Sequence, residues 1–341
     1  MSEQKESGML RLLSEWVHKQ GYPHTALQPL SGDAGFRRYS RMVGNSQALM
    51  AVYAPPQTEN TLLYLSISRM LKDGGVRVPV VVAEDASQGF LLVEDCGDQL
   101  MLGQLSDSTA DALYAQAEAL LLSLQQISVH EGDFAQYDPQ RLWDEMALFP
   151  QWFVQDLLGL PFGRNEQTLL ENLFERLVDN ACEQPQVLVH RDFHSRNLML
   201  MGDELVTIDF QDAVTGPVTY DLVSLLRDCY IRWSPEQVSR WALTFRQKRL
   251  EQGLAAGASD QQFLQWFDLM GLQRHIKVLG IFARLWLRDG KSGYLNDLPL
   301  VLRYTLEIAE RYPESAEFAD WLRVRILPAC QRQSWWVDWT K

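Results

Sequence analysis

One stretch limits what this chain can become more than any other: residues 187–211, VLVHRDFHSRNLMLMGDELVTIDFQ. It opens with an apolar run, Val187 to Val189, of the kind that forms a buried strand. His190 to Asn197 follows, mostly polar and too long for a tight turn. Leu198 to Met201 and Leu205 to Ile208 are again apolar, with the turn pair Gly202-Asp203 between them, so a β-hairpin is predicted. A loop and a hairpin in this order bring together three oxygen-bearing side chains: Asp192, Asn197 and Asp209.

Oxygen donors without a Cys or His cluster suit a hard cation such as Mg²⁺, which binds one or two carboxylates plus substrate phosphates. A remaining carboxylate can orient an attacking hydroxyl. Phosphoryl transfer divides labour in this way: the Asp of H-R-D-x-x-x-x-N handles the hydroxyl, while the Asn and the Asp of D-F-G hold metal. His190-Arg191-Asp192, Asn197 and Asp209-Phe210 match that order, with Gln211 where the glycine would stand. His190 is expected to support the loop, Asp192 to be catalytic, and Asn197 and Asp209 to be the metal ligands.

At 341 residues the chain is long enough for two lobes. A net charge of −13 opposes a nucleic-acid surface, which needs clustered Lys and Arg. Four cysteines, Cys96, Cys182, Cys229 and Cys330, form no CxxC pair, so reduced thiols in a cytoplasmic enzyme are expected. No apolar run approaches a membrane span and the N-terminus lacks a signal core. No nucleic acid, membrane or protein partner is therefore expected.

Toward the N-terminus, residues 9–20 carry Met9, Leu12, Leu13, Trp16 and Val17 on one helical face. Gly32, Asp33, Ala34 and Gly35 then lie between strand-like runs, where small residues let a backbone approach phosphates; a plain hairpin turn uses the same residues. Arg37, Arg38 and Arg41 offer phosphate or substrate charge, or are surface residues. A kinase places a lysine on the next strand, yet ALMAVYA at 48–54 has none. Either an arginine replaces it, or metal and backbone hold the nucleotide, or the chain is a pseudokinase. A helix is expected at 59–72, and strands at Val78 to Val82 and Phe90 to Val93. The second strand runs into Glu94-Asp95-Cys96-Gly97, where backbone at Glu94 and Cys96 can meet an adenine edge or simply connect two lobes.

From about residue 99 the pattern is mainly helical, with helices expected near 108–127, 139–158, 166–182, 217–230, 234–252, 260–287 and 298–311. Only a dozen residues separate Asp209 from Tyr220-Asp221, leaving no room for the activation segment of a protein kinase. This shortness favours a small-molecule acceptor. Asp221 is either a helix cap or a buried brace for the catalytic loop. Trp152, Trp233, Trp266 and Trp286 are candidates for stacking on a sugar. Arg274, Lys277 and Arg284 share a helix and form either a salt-bridged face or a patch for an anionic substrate group.

These motifs, with Gly32–Tyr39, Ala54-Pro55-Pro56, Leu92–Gly97, His190–Met199, Ile208–Asp212, Gly216–Asp221 and Gly280–Leu285, resemble the aminoglycoside phosphotransferase-like kinases, which include choline and sugar kinases. Within them the likeness is greatest to the bacterial anomeric N-acetylmuramate and N-acetylglucosamine kinases of cell-wall recycling. The resemblance implies an α+β, bilobal protein-kinase-like fold, with a small β-rich nucleotide-binding lobe at 1–96 and a larger, mainly helical catalytic lobe at 97–341. It also implies ATP with Mg²⁺ and phosphorylation of a small-molecule hydroxyl. The nucleotide site would then comprise Gly32, Asp33, Ala34, Gly35, Arg38, Glu94 and Cys96. Arg191, where many relatives have glycine, and the absent lysine depart from the family pattern.

Overall fold

The structure, a computed structural model, describes residues 3–30, 36–130, 132–254 and 258–339. The expected phosphate loop at Gly32, Asp33, Ala34 and Gly35 lies outside them. The chain forms two compact units: Met1–Gln116 with Arg196–Asp212, and Ala117–Ser195 with Ala213–Lys341. The expected metal-ligand hairpin thus belongs to the first unit and the Asp192 loop to the second.

The first unit is built on an antiparallel sheet: β1 (Ala26–Pro29), β2 (Arg38–Val43), β3 (Leu49–Tyr53), β4 (Val81–Asp85) and β5 (Phe90–Glu94), in the order β1-β2-β3-β5-β4. Alternate residues of a strand face opposite sides, and Leu49, Ala51 and Tyr53 of β3 share a core with Phe90 and Leu92 of β5. Helix α1 (Glu3–Lys19) closes this core through Leu13, Trp16 and Val17, with the Trp16 ring 5.7 Å from Phe90. Leu12, placed on the apolar face from the sequence, is exposed instead. β4 begins three residues later than the run from Val78 suggests; Pro79 has no N–H to give a ladder, and a register shift follows between Val81 and Ala83. Helix α2 (Thr61–Asp73) starts at Asn60, whose side chain accepts the Leu63 N–H at 3.0 Å. The predicted hairpin forms as β7 (Leu198–Met201) and β8 (Glu204–Thr207), turning at Gly202-Asp203. Met199 and Val206 of this hairpin pack with Cys96.

Helix α3 (Met101–Gln104) precedes α4 (Ala110–Gln126), which begins in the first unit and ends in the second. The second unit then runs through α5 (Pro139–Met146), α6 (Arg164–Cys182), β6 (Gln186–Val189), β9 (Val214–Pro217), α7 (Tyr220–Leu226), α8 (Pro235–Glu251), α9 (Asp260–Asp289) and α10 (Leu298–Ala309). The single helix expected at 139–158 divides after Met146 into α5 and a π-helical segment, Phe149–Leu157, which contains Pro150. β6 and β9 pair antiparallel and launch the Asp192 loop and α7 respectively. Along its central stretch, from Trp266 to Gly280, α9 is buried all round, as a helix at the centre of a domain must be. Gly280 lets it touch the π-helical segment: a Cβ there would lie 2.6 Å from the backbone of Leu148 and Phe149. No described helix is long and apolar enough to cross a membrane.

Candidate active site

In the second unit, β6 ends at Val189 and the chain turns at Arg191, whose φ of 76° is rare for a residue with a side chain. Asp221, fully buried at the second position of α7, holds that turn. Its carboxylate accepts the His190 N–H at 2.6 Å and the Arg191 N–H at 3.0 Å. Asp221 is therefore a brace for the loop; the capping position belongs to Thr219. Complete burial pushes its carboxyl up to about 7, against the opposing pull of the two amides.

The far end of the loop is fixed similarly. Asp228 accepts the Ser195 N–H at 2.9 Å and also the Ser195 hydroxyl. Between these anchors the Asp192 N–H donates to His190 Nδ1 at 3.3 Å, and the His194 N–H to the Asp192 carbonyl at 3.0 Å. His190, buried within the loop, thus accepts from the amide two residues on. Asp228 was not marked by any local motif: it lies beyond the end of α7 and meets Ser195 across 33 residues.

Asp192 sits among cations. Burial alone would raise its carboxyl, but Lys277, then His194, Arg274 and His190, more than offset that effect and hold it below the usual range. Lys277 is buried and pairs with Glu145 at 3.0 Å and the Tyr220 hydroxyl at 2.9 Å. Burial works against its charge, yet Tyr220 and Glu145 keep it above the ordinary lysine value. Arg191 also reaches Glu145, at 2.5 Å, and its guanidinium lies over the Tyr137 ring at 5.7 Å. Arg274 is buried, with Nη1 donating to Cys229 Sγ at 3.4 Å. Of the two explanations for the basic residues of this helix, Lys277 follows the salt-bridged one through Glu145, but it and Arg274 are buried rather than on an exposed face. They are interior charges whose field reaches Asp192.

In the first unit, hairpin register brings the other two predicted ligands to one end. Leu198 pairs with Thr207, and the Ile208 N–H donates to the Asn197 carbonyl at 3.0 Å, so Asn197 and Asp209 flank the open end of β7 and β8. Asp209 has φ 65°, a second left-handed non-glycine residue. Gln211 Nε2 donates to Asp209 Oδ1 at 2.7 Å, and Phe210 stacks on Tyr64 at 5.0 Å. One carboxylate and one amide oxygen fit Mg²⁺, which takes few protein ligands and completes its shell with phosphate and water.

The remaining candidates divide. Glu94 binds Arg77 through both carboxylate oxygens, at 2.7 and 2.8 Å, and its N–H donates to the Val80 carbonyl. The Cys96 thiol is packed in the hairpin core, where burial raises it to about 11. Arg38 is an exposed strand residue bonded to the Arg37 carbonyl. Arg41 is forked between Asp95 and Asp98 at 2.6 and 2.8 Å, so its charge is already matched. Arg37 is the buried one. Trp233 and Trp266 are core residues, while Trp152 and Trp286 are half-buried.

A model of the phosphotransferase enzyme family, APH, matches residues 26–258. The N-acetylmuramate/N-acetylglucosamine kinase of Pseudomonas putida is 39% identical over 298 residues, covering 87% of this chain and 88% of its own. Among solved structures, ADP-bound aminoglycoside phosphotransferase APH(2'')-Ib aligns with a TM-score of 0.60 at 18% identity, over 87% of this chain and 98% of its own. Plasmodium vivax ethanolamine kinase Pv091845 aligns at 0.64 and 14%, over 87% and 86%. The five-stranded antiparallel sheet and the mainly helical remainder are accordingly an α+β, protein-kinase-like fold. With the family model spanning most of the sequence and a relative this similar along nearly its whole length, the chain belongs to the phosphotransferase enzyme family.

Proposed function

We propose that this chain transfers the γ-phosphoryl group of ATP to the anomeric hydroxyl of N-acetylmuramate or N-acetylglucosamine, releasing ADP and the sugar 1-phosphate. The observation that carries this reading is the loop of Asp192, braced by Asp221 and Asp228 in a chain so similar to a kinase of those sugars. Asp192 accepts a hydrogen bond from the acceptor hydroxyl and aims its oxygen at the γ-phosphorus. The new P–O bond forms as the bridge to ADP breaks, and the hydroxyl proton passes to Asp192 late, since a loose transition state asks little of a base. A carboxyl held ionised by Lys277 and Arg274 suits that orienting role. Asn197 and Asp209 are the residues that would hold Mg²⁺, which when bound neutralises charge on the phosphates.

The cations around Asp192 also bear on the acceptor. An aminoglycoside or an amino alcohol carries positive charge and needs unmatched carboxylates, whereas Glu145 is already matched by Arg191 and Lys277. A neutral or anionic sugar fits this surrounding better. The test is magnesium-dependent ADP release across N-acetylmuramate, N-acetylglucosamine, choline, ethanolamine and an aminoglycoside, with product mass. Turnover confined to the cationic acceptors overturns the sugar assignment.

A further inference from the structure

The strand that should carry a lysine for the nucleotide phosphates, β3, reads LMAVY. In protein kinases that lysine is held by a glutamate on the helix that follows. Here the same arrangement is drawn with other residues. Arg37, immediately before β2, is only 8% exposed, and its guanidinium pairs at 3.0 Å with Glu59, just ahead of α2. The guanidinium also lies over the Tyr64 ring at 4.9 Å, and Tyr64 stacks on Phe210, next to Asp209. Tyr64 thus links the buried arginine to the neighbour of the expected metal ligand within the first unit. Among the described residues Arg37 Nε has no hydrogen-bond partner although it is buried. A buried donor left unmatched costs stability, and beside the expected metal ligand a phosphate oxygen would match it. The neighbouring arginines are committed elsewhere, Arg41 to Asp95 and Asp98 and Arg77 to Glu94.

We infer that Arg37, held by Glu59, supplies the cation that grips the nucleotide phosphates in place of the missing lysine. This rests on the kinase reading above, and the experiment separates the two. Binding of ATP, ADP and adenosine is measured by calorimetry, without any acceptor, for the wild-type chain, Arg37→Met, Arg37→Gln/Glu59→Gln and Glu59→Gln. The double variant removes both charges and leaves no unmatched buried ion, so it guards against a failure of Arg37→Met to fold. ATP and ADP affinity is expected to fall at least tenfold in Arg37→Met and in the double variant, and several-fold in Glu59→Gln, with adenosine affinity unchanged. Equal loss of adenosine and ATP would show a structural role and overturn the inference, as would full ATP affinity in either the Met or the double variant. Wild-type protein that binds ATP but phosphorylates no acceptor would count against the kinase reading alone.

Discussion

The Asp228 carboxylate accepts the Ser195 N–H at 2.9 Å, which ties the end of the Asp192 loop to the chain beyond α7. With Asp221 on the His190 and Arg191 amides, two buried carboxylates hold the two ends of one loop. Hydrogen bonds to a charged partner contribute about 1.5–3 kcal/mol each. Asp228→Asn is expected to lower unfolding free energy by roughly that amount and to reduce kcat more than it raises KM for ATP. Urea unfolding and steady-state kinetics check both. An unchanged kcat in a destabilised protein would limit Asp228 to stability.

Asp192→Asn should reduce kcat by about 10²–10⁴-fold, the usual contribution of a positioned acid–base group. Nucleotide affinity should stay close to wild type, because the proposed role puts Asp192 at the acceptor end of the reaction. Isothermal titration with ATP, beside the coupled assay, separates the two effects. Substantial turnover by the variant would remove Asp192 from its proposed role.

Lys277 is the largest of the charges that keep Asp192 ionised against its burial. Replacing it with Met should therefore raise the Asp192 carboxyl. As pH falls, activity would be lost sooner, so the acid limb of the kcat profile moves to higher pH while the plateau above neutrality changes less. A limb that stays in place would show that Lys277 serves only Glu145 and Tyr220.

Asp221 titrates in the opposite sense. Its carboxyl stands near 7 when folded, against 3.8 in the unfolded chain. Between those values the folded state binds the extra proton, so the cost of burying Asp221 grows as pH rises from about 4 to about 7 and is constant above. Asp221→Asn removes that slope. Relative to wild type, the variant should gain stability as pH is raised through this window, measured by denaturant unfolding at several pH values. A gap that moves the other way would mean the buried group is held as the anion.

Gly280→Ala puts a methyl group 2.6 Å from the backbone of Leu148 and Phe149, where neither a flexible side chain nor empty space can absorb it. Overpacking of this kind costs about 1–3 kcal/mol. Thermal unfolding should show a clear drop in Tm, and an unchanged Tm would mean that α9 and the π-helical segment separate easily.

The loop and hairpin were legible in the sequence because apolar runs, turn residues and polar spacing are local signals. β6, β7 and β8 formed where those signals lie. Partners were harder to read. Asp221 meets His190 across 31 residues, Asp228 meets Ser195 across 33, and Glu145 meets Arg191 across 46, and nothing in a local pattern specifies such pairings. The choice among Arg37, Arg38 and Arg41 was ambiguous for another reason. Neighbours along an extended chain face opposite sides, so burial of Arg37 and exposure of Arg38 follow from sheet register, which composition does not reveal. The split of the expected 139–158 helix, by contrast, has a local signal in Pro150, which has no N–H to give a continuing α-helix.

The turn at Arg191 has a consequence for how this loop tolerates change. A left-handed backbone disfavours any side chain by about 1–2 kcal/mol, yet here the side chain is what links the turn to Glu145 and to the face of Tyr137. Glycine at this position would relax the backbone while cutting that link. Comfort and control therefore pull in opposite directions at one residue, and the shape of the loop answers to a carboxylate on a helix far upstream as much as to its own torsions.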